Sequence, residues 1–427
     1  MAFNINRQRL KKAIYAPILA TAMALMLGRF LLFAKILDLN AFAELSAVYL
    51  VSGIVGMLSS FGMFLDLQRK LPGYLALGQR RAAATIIWQS LLGTVAIGIV
   101  GVAFASAGLS FGSISSTAVL LGVMHGVVQQ AFLIQTTESR SSNDPLRFSM
   151  QSIARALGIL LFAVPISIEF GTALSVVIPE CFVTGVMAIS ISHNTAKKMS
   201  LSHRRAALLG VRSFRRMRWG STLSLLLLSL AVTTSSSMDR WLSSLTLQPA
   251  DFAEYSFASI TMTAAFALQG LINASVFPMI AKRSAIHGVR SAYRLALLSA
   301  FGTLGIFLVA IVPAIYVAEF LILQLYPKYS DAIPLIPILA IAAAFRISDF
   351  WSSFLVIRDR EKTSLLINMV AAGTAFVIWL LTRFGARTPE AGIAYMAAFV
   401  AASTYVISFI FSHIHFRSSN AEITVAT

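Results

Sequence analysis

Three arginines fall inside long apolar stretches of this 427-residue chain: Arg29, Arg155 and Arg346. Glu180 and Asp349 share that setting, and Asp239-Arg240 closes another such stretch. A guanidinium presents a planar fork of donors, so the ligand it suits best is an oxyanion, carboxylate or phosphoryl, held bidentately. A carboxylate among apolar residues either neutralises such a cation or takes up and releases a proton. Neutral polar residues recur too: His125, Gln129 and Gln130 in one stretch, Gln269 and Asn273 in another, and the run "TTSSS" at 233–237. These either hydrogen-bond between helices or line a watery space, and the sequence leaves both readings open.

Other chemistries lack their residues. There is no GxxxxGK[ST] loop to cradle a nucleotide phosphate, and no HExxH or Cys/His spacing for a metal. The lone Cys181 lies in an apolar segment, so no disulfide can form within the chain. No cofactor and no metal are expected, and the chain reads as a non-enzyme.

The elements that must position these groups follow from composition. The chain is 57% hydrophobic and 12% charged, with a mean hydropathy of +0.79. Soluble domains carry about 25% charged residues. Apolar runs of about 20 residues, enough to cross a hydrocarbon core of about 30 Å, recur along the sequence. The reading is an all-α polytopic membrane protein with twelve spans: 13–36, 43–65, 83–106, 116–137, 148–168, 172–193, 219–238, 252–279, 292–317, 331–357, 364–382 and 391–413. The basic start followed by an apolar run resembles a signal peptide. It has no small-residue cleavage site and reaches spanning length, so it reads as a retained first helix.

With both termini inside, 26 of the 34 Lys and Arg residues fall in inside segments and five in outside gaps: Lys35, Arg240, Lys328, Arg383 and Arg387. That is the bias expected of cytoplasmic loops, and it accounts for the net charge of +17. Nucleic acid is not an expected partner, because the excess is spread over all the inside loops without aromatic interleaving. The densest stretch, "KKMSLSHRRAALLGVRSFRRMR" at 197–218, reads as a linker lying on anionic inner-leaflet lipid. The division is then a six-helix lobe at 1–193, a basic cytoplasmic linker at 194–218, and a second six-helix lobe with a short tail at 219–427.

Each intramembrane charge has two readings. Arg29, 17 residues past Lys12 and so about 25 Å along the first helix, either snorkels outward or faces the interior. Arg155 lies about two turns into its span. Arg346 and Asp349 are three residues apart, which on a continuous helix puts them on one face, as a cavity ligand or as an internal pair. Glu180 is either a counter-ion to an arginine or a coupling group. Asp239-Arg240 is expected at a solvated outer end.

"NAFAELSAVYL" at 40–50 returns as "ADFAEYSFASI" at 250–260, which places Phe42-Ala43-Glu44 and Phe252-Ala253-Glu254 210 residues apart. The same offset pairs Gly78 with Gly288 and Arg80 with Arg290. Each half thus restates the start of its second helix and the approach to its third, in the same orientation. That is the mark of a parallel pseudo-repeat of two six-helix bundles about a central cavity.

The arginine on the first helix (Arg29), the short outer turn, Phe42-Ala43-Glu44, and the second-half counterpart from Asp239-Arg240 through Phe252-Ala253-Glu254-Tyr255 together resemble the polysaccharide flippases. These are a branch of the multidrug/oligosaccharidyl-lipid/polysaccharide exporter superfamily. Alanine stands at 43 and 253 where many relatives carry glycine. The resemblance implies a V-shaped, two-lobed transporter of the bacterial cytoplasmic (inner) membrane. It would flip polyprenyl-diphosphate-linked oligosaccharides to the outer leaflet for surface polysaccharide assembly, beside a polymerase and chain-length machinery. Arg29, Arg155, Arg346, Gln129, Gln269 and Asn273 would then line the cargo site. Glu180, Asp349, Asp239 and Arg240 would serve as counter-ions or coupling groups. The alternatives are a cation-coupled small-molecule exporter of the same superfamily and a membrane polysaccharide polymerase or acyltransferase.

Overall fold

A computed structural model gives the backbone of residues 2–426 apart from 113, 143–144, 218, 359 and 383–387. Side chains at 2–16, 145, 216, 228, 270–271, 273–275, 278, 281–282, 285, 361, 382 and 418–426 also lie outside the described set. The described chain is helical, and it divides into two compact units, Met1–Thr233 and Thr234–Thr427.

The first unit begins with α1 (Ala2–Ile36), α2 (Leu39–Ser60), α3 (Met63–Ala76) and α4 (Arg80–Ala105). It continues with α5 (Ser116–Ser141), α6 (Pro145–Phe170), α7 (Ala173–Lys198) and α8 (His203–Ser213). α9 (Trp219–Thr246) starts in the first unit and ends in the second. The second unit then holds α10 (Pro249–Ala258), α11 (Ile260–Leu325), α12 (Leu335–Ile347), α13 (Phe350–Ile357), α14 (Glu361–Thr382) and α15 (Pro389–Ala426).

Apolar length makes these helices and polar caps delimit them. Asp38 accepts the Ala41 N–H to cap α2, and Ser115 accepts that of Ala118 to cap α5. Thr172 and Ser175 form a reciprocal capping box on α7. Eleven helices among the described residues are long and apolar enough to cross a membrane, with α12 and α13 together forming one of them. The eighth predicted span, 252–279, is occupied by α10 and the first arm of α11, several of whose side chains are outside the described set, and is not among the eleven.

The 210-residue echo is a structural repeat. α2 and α10 start at Leu39 and Pro249, capped at Asp38 and Gln248, so both boundaries fall at the same offset. Phe42, Ala43, Phe252 and Ala253 are all buried, with Glu44 and Glu254 partly exposed beside them. Gly78 and Gly288 both have left-handed φ, 69° and 76°, and at Gly288 the long α11 breaks into two arms. Only glycine adopts that backbone cheaply, which is why it stands at both positions.

Packing repeats as well. In the first unit α5 packs on α2 and α7, and α6 packs on α7. In the second, α12 packs on α11 and α15, and α14 packs on α15. Within the first unit α2 and α5 approach closely: a Cβ at Gly126 would lie 2.7 Å from the Ser52 carbonyl oxygen, and one at Gly122 2.6 Å from Val51. Small residues one turn apart bring the two backbones together, as in membrane helix pairs generally. Ser52 and His125 are thereby placed within hydrogen-bonding reach.

Candidate functional site

Apart from Glu138, which pairs with Arg147 and Lys198, the first unit gathers its described buried charge at one place, drawn from five helices. Arg29 on α1 donates from Nη1 to Glu180 Oε1 on α7 at 2.6 Å. Tyr49 on α2 donates its hydroxyl to the same oxygen at 2.9 Å, and His125 Nε2 on α5 lies 3.1 Å from Oε2. Ser52 Oγ completes the chain, 2.8 Å from His125 Nδ1. Glu180 is fully buried and Arg29 is 5% exposed, so neither relies on water. Arg29 is turned into the lobe, with its guanidinium 5.0 Å from the Phe30 ring and 5.3 Å from that of Tyr49. Its Nε has no acceptor among the described residues.

Arg155 on α6 is 6% exposed and differently held. Its Nε donates to Thr184 Oγ1 on α7 at 3.1 Å, Nη2 bonds Gln129 Oε1 on α5, and the guanidinium stacks 4.8 Å from Phe132. All of these contacts are neutral. Among the described residues Arg155 has no carboxylate partner. One carboxylate therefore serves two buried guanidinia, and the cluster keeps a positive charge with spare donors. Such an arrangement is chemically suited to an anion.

In the second unit, Asp239 is buried and accepts the Tyr255 hydroxyl at 2.9 Å. It was expected at a solvated helix end, but α9 continues to Thr246. The hydroxyls of Ser243, Ser244 and Thr246 bond back to carbonyls of their own helix, so this polar sequence is satisfied within the continuing helix. Arg240 is half-buried. From the "TTSSS" run, Ser235 reaches across to Asn368 Oδ1 on α14 at 3.1 Å, and Thr233 Oγ1 contacts the Met57 sulfur at 2.7 Å.

Arg346 Nη2 donates to the Ser235 carbonyl at 3.2 Å. It forms no ion pair with Asp349, because the helix that would align them stops. Ser348 ends α12, its hydroxyl bonded to the Ala344 carbonyl, and Asp349 caps α13 by accepting from the Ser352 N–H and hydroxyl. Gln269 is partly buried on α11, remote in sequence from these groups, and the Asn273 side chain lies outside the described residues.

The sequence reading passed over Tyr49, Ser52, Thr184 and Phe132. Their signal is spacing: Glu180 and Thr184 are four residues apart, as are His125 and Gln129, with Phe132 three further on, so each set shares a helix face.

Neither a protein-family model nor a curated protein matches the chain. Solved structures do match its fold. A multidrug resistance MATE family transporter of the MOP superfamily, in its inward-facing conformation, aligns with a TM-score of 0.67 at 11% identity, covering 96% of this chain and 98% of the other. The lipid II flippase MurJ in an inward closed conformation aligns at 0.65 and 13% identity, over 93% and 87%. The Vibrio cholerae MATE transporter VcmN aligns at 0.60 and 15%, over 96% and 98%. Over nearly its whole length, the chain has the fold that these transporters share.

Proposed function

We propose that this protein is a membrane transporter of an anionic cargo, a polyprenyl-diphosphate-linked oligosaccharide carried from the cytoplasmic to the outer leaflet. The fold does not choose between drug export and lipid flipping, since its neighbours include both. The observation that supports the anionic reading is Arg155, a buried guanidinium held by an amide, a hydroxyl and an aromatic ring, with no carboxylate beside it. A site for cationic drugs would want the opposite surplus. With Arg29 and its free Nε nearby, the first unit offers charge-assisted donors to a diphosphate.

The cargo's sugars need such a path because polar groups have no favourable route through about 30 Å of hydrocarbon. Alternating access of the two bundles would supply it, with the polyprenyl tail left in lipid. A membrane potential positive outside favours outward movement of each negative charge by about 2.3 kcal/mol per 100 mV, so a diphosphate needs no coupled ion.

The test is made in cells lacking the protein, by asking which leaflet holds the lipid-linked oligosaccharide. Single repeat units trapped on the inner leaflet, with surface polysaccharide lost, are expected. Unpolymerised units reaching the outer leaflet would reassign the chain to polymerisation. No change in either pool would discard the sugar-lipid cargo and leave the small-molecule exporter.

A further inference from the structure

The first unit also contains a cavity of about 520 Å³ at one end of its helices, separate from the arginine cluster. It is lined from α3 by Arg69, Lys70 and Tyr74, from α4 by Thr85 and Gln89, and by Ser213 at the end of α8. Its volume is that of a small-molecule site, and its lining is half polar, with Ala82, Ile86 and Met217 among the apolar part. Lys70 is paired with Asp66 at 2.7 Å. The Arg69, Tyr74 and Gln89 side chains have no hydrogen-bond partner among the described residues, so the main unneutralised charge in the cavity is the Arg69 guanidinium.

The walls are fixed by close backbone approaches. Gly210 of α8 sits on α4, where a Cβ would lie 3.0 Å from the Gln89 nitrogen. Gly62, at the corner between α2 and α3, meets the start of α9, where a Cβ would lie 2.2 Å from the Thr222 carbonyl oxygen. Leu67 and Leu71 bury the opposite face of α3 against Ala83, Ala84 and Ile87 of α4, which turns Arg69 and Lys70 towards the cavity.

The surroundings match a lipid surface. Leu77, Leu208, Val211 and Trp219 on the bordering segments are each more than half or about half exposed. α8 carries Arg204, Arg205 and Arg212 beside those exposed apolar residues. An amphipathic basic helix with apolar side chains bared, next to an exposed tryptophan, lies at the headgroup level of a bilayer. By the distribution of basic residues, that bilayer face is the cytoplasmic one.

We propose that this cavity binds the phosphorylated, hydroxyl-bearing headgroup of an anionic lipid of the bordering leaflet. Arg69 would take the phosphoryl oxygens, with Tyr74 and Gln89 taking the headgroup hydroxyls. The chemistry fits a bulk phospholipid and the phosphorylated end of a polyprenyl lipid alike, and it does not depend on which cargo the chain moves.

Purified full-length protein in detergent tests it, with lipid retention read by native mass spectrometry. The probes are short-chain phosphatidylglycerol, short-chain phosphatidylcholine, farnesyl diphosphate and inorganic phosphate. Arg69→Gln with Gln89→Leu is expected to lower phosphatidylglycerol or farnesyl diphosphate retention about tenfold, as loss of charge-assisted bonds does. Arg204→Gln with Arg205→Gln, which removes more charge outside the cavity, is expected to change it less than about twofold. An unchanged melting temperature shows that both variants are folded. If the cavity variant loses only phosphatidylglycerol, the ligand is a resident phospholipid. If it loses only farnesyl diphosphate, the site receives polyprenyl lipid. Binding of inorganic phosphate alone, equal loss in both variants, or no preference over phosphatidylcholine would overturn the proposal.

Discussion

The first helix of each half carries a buried charge at the same repeat position, and the two have opposite sign. Arg29 on α1 and Asp239 on α9 lie 210 residues apart, the offset that also relates the helix starts and the left-handed glycines. Arg29 meets a carboxylate, Glu180, whereas Asp239 meets a neutral phenol, Tyr255. Around them the first unit sets Arg29 and Arg155 against Glu180, while the second sets Arg346 and the half-buried Arg240 against Asp239 and Asp349. The repeat thus preserves packing and boundaries but not charge, and among the described residues the cluster around Arg29 keeps a positive surplus while the charges around Asp239 balance. A cargo anion has reason to prefer that side.

The largest effect that separates the halves is on stability. Glu180→Ala leaves Arg29 buried without its counter-charge, and breaking such a pair costs about 3–5 kcal/mol. The variant should melt well below the parent in detergent, and Arg29→Gln combined with Glu180→Gln should recover most of the loss. An unchanged melting temperature for Glu180→Ala would mean that the pair is solvated, and the contrast between the halves would collapse.

Transport separates them next. Arg155→Gln removes charge-assisted bonds worth about 1.5–3 kcal/mol and should slow cargo movement in vesicles about 10- to 100-fold with the fold intact. Arg346→Gln, which loses a bond to a backbone carbonyl, should slow it much less. Equal losses would place the cargo contacts in both halves.

Gly288→Ala tests the shared framework. At φ 76°, ψ 176° alanine is strained by about 1–3 kcal/mol, although no neighbour crowds its Cβ. Gly78→Ala should cost a similar amount by the same melting measurement, and a silent Gly78→Ala would break the equivalence of the two turns. The smallest effect is expected from Asp239→Asn, where the amide oxygen still accepts the Tyr255 hydroxyl. The cost should be about 1 kcal/mol, and a loss as large as that of Glu180→Ala would show that Asp239 is held by a cation after all.

The contrast between Glu180 and Asp349 shows why part of the site was legible and part was not. Glu180 stands in an uninterrupted helix, so its face follows from periodicity and Thr184 one turn on belongs to the same cluster. Asp349 looks equivalent in sequence, but α12 ends at Ser348 just before it, and the carboxylate is spent on capping α13. Asp239 misled for the converse reason, since its hydroxyl-rich surroundings resemble a helix end yet bond back into the helix. Ser and Thr serve either purpose, and only the competing tertiary contacts decide between them.

The sequence by itself determined the membrane class, the order of eleven of its twelve expected spans, and the repeat at 210 residues. These depend on apolar length, charge distribution and backbone-restricted glycines, which are local properties. The tertiary structure decided which charges meet. Arg29 and Glu180 are 151 residues apart in the chain, and they pair because α1 packs on α6 and α6 packs on α7. A buried guanidinium finds whatever carboxylate the helix packing delivers, and no periodicity along one helix carries that information.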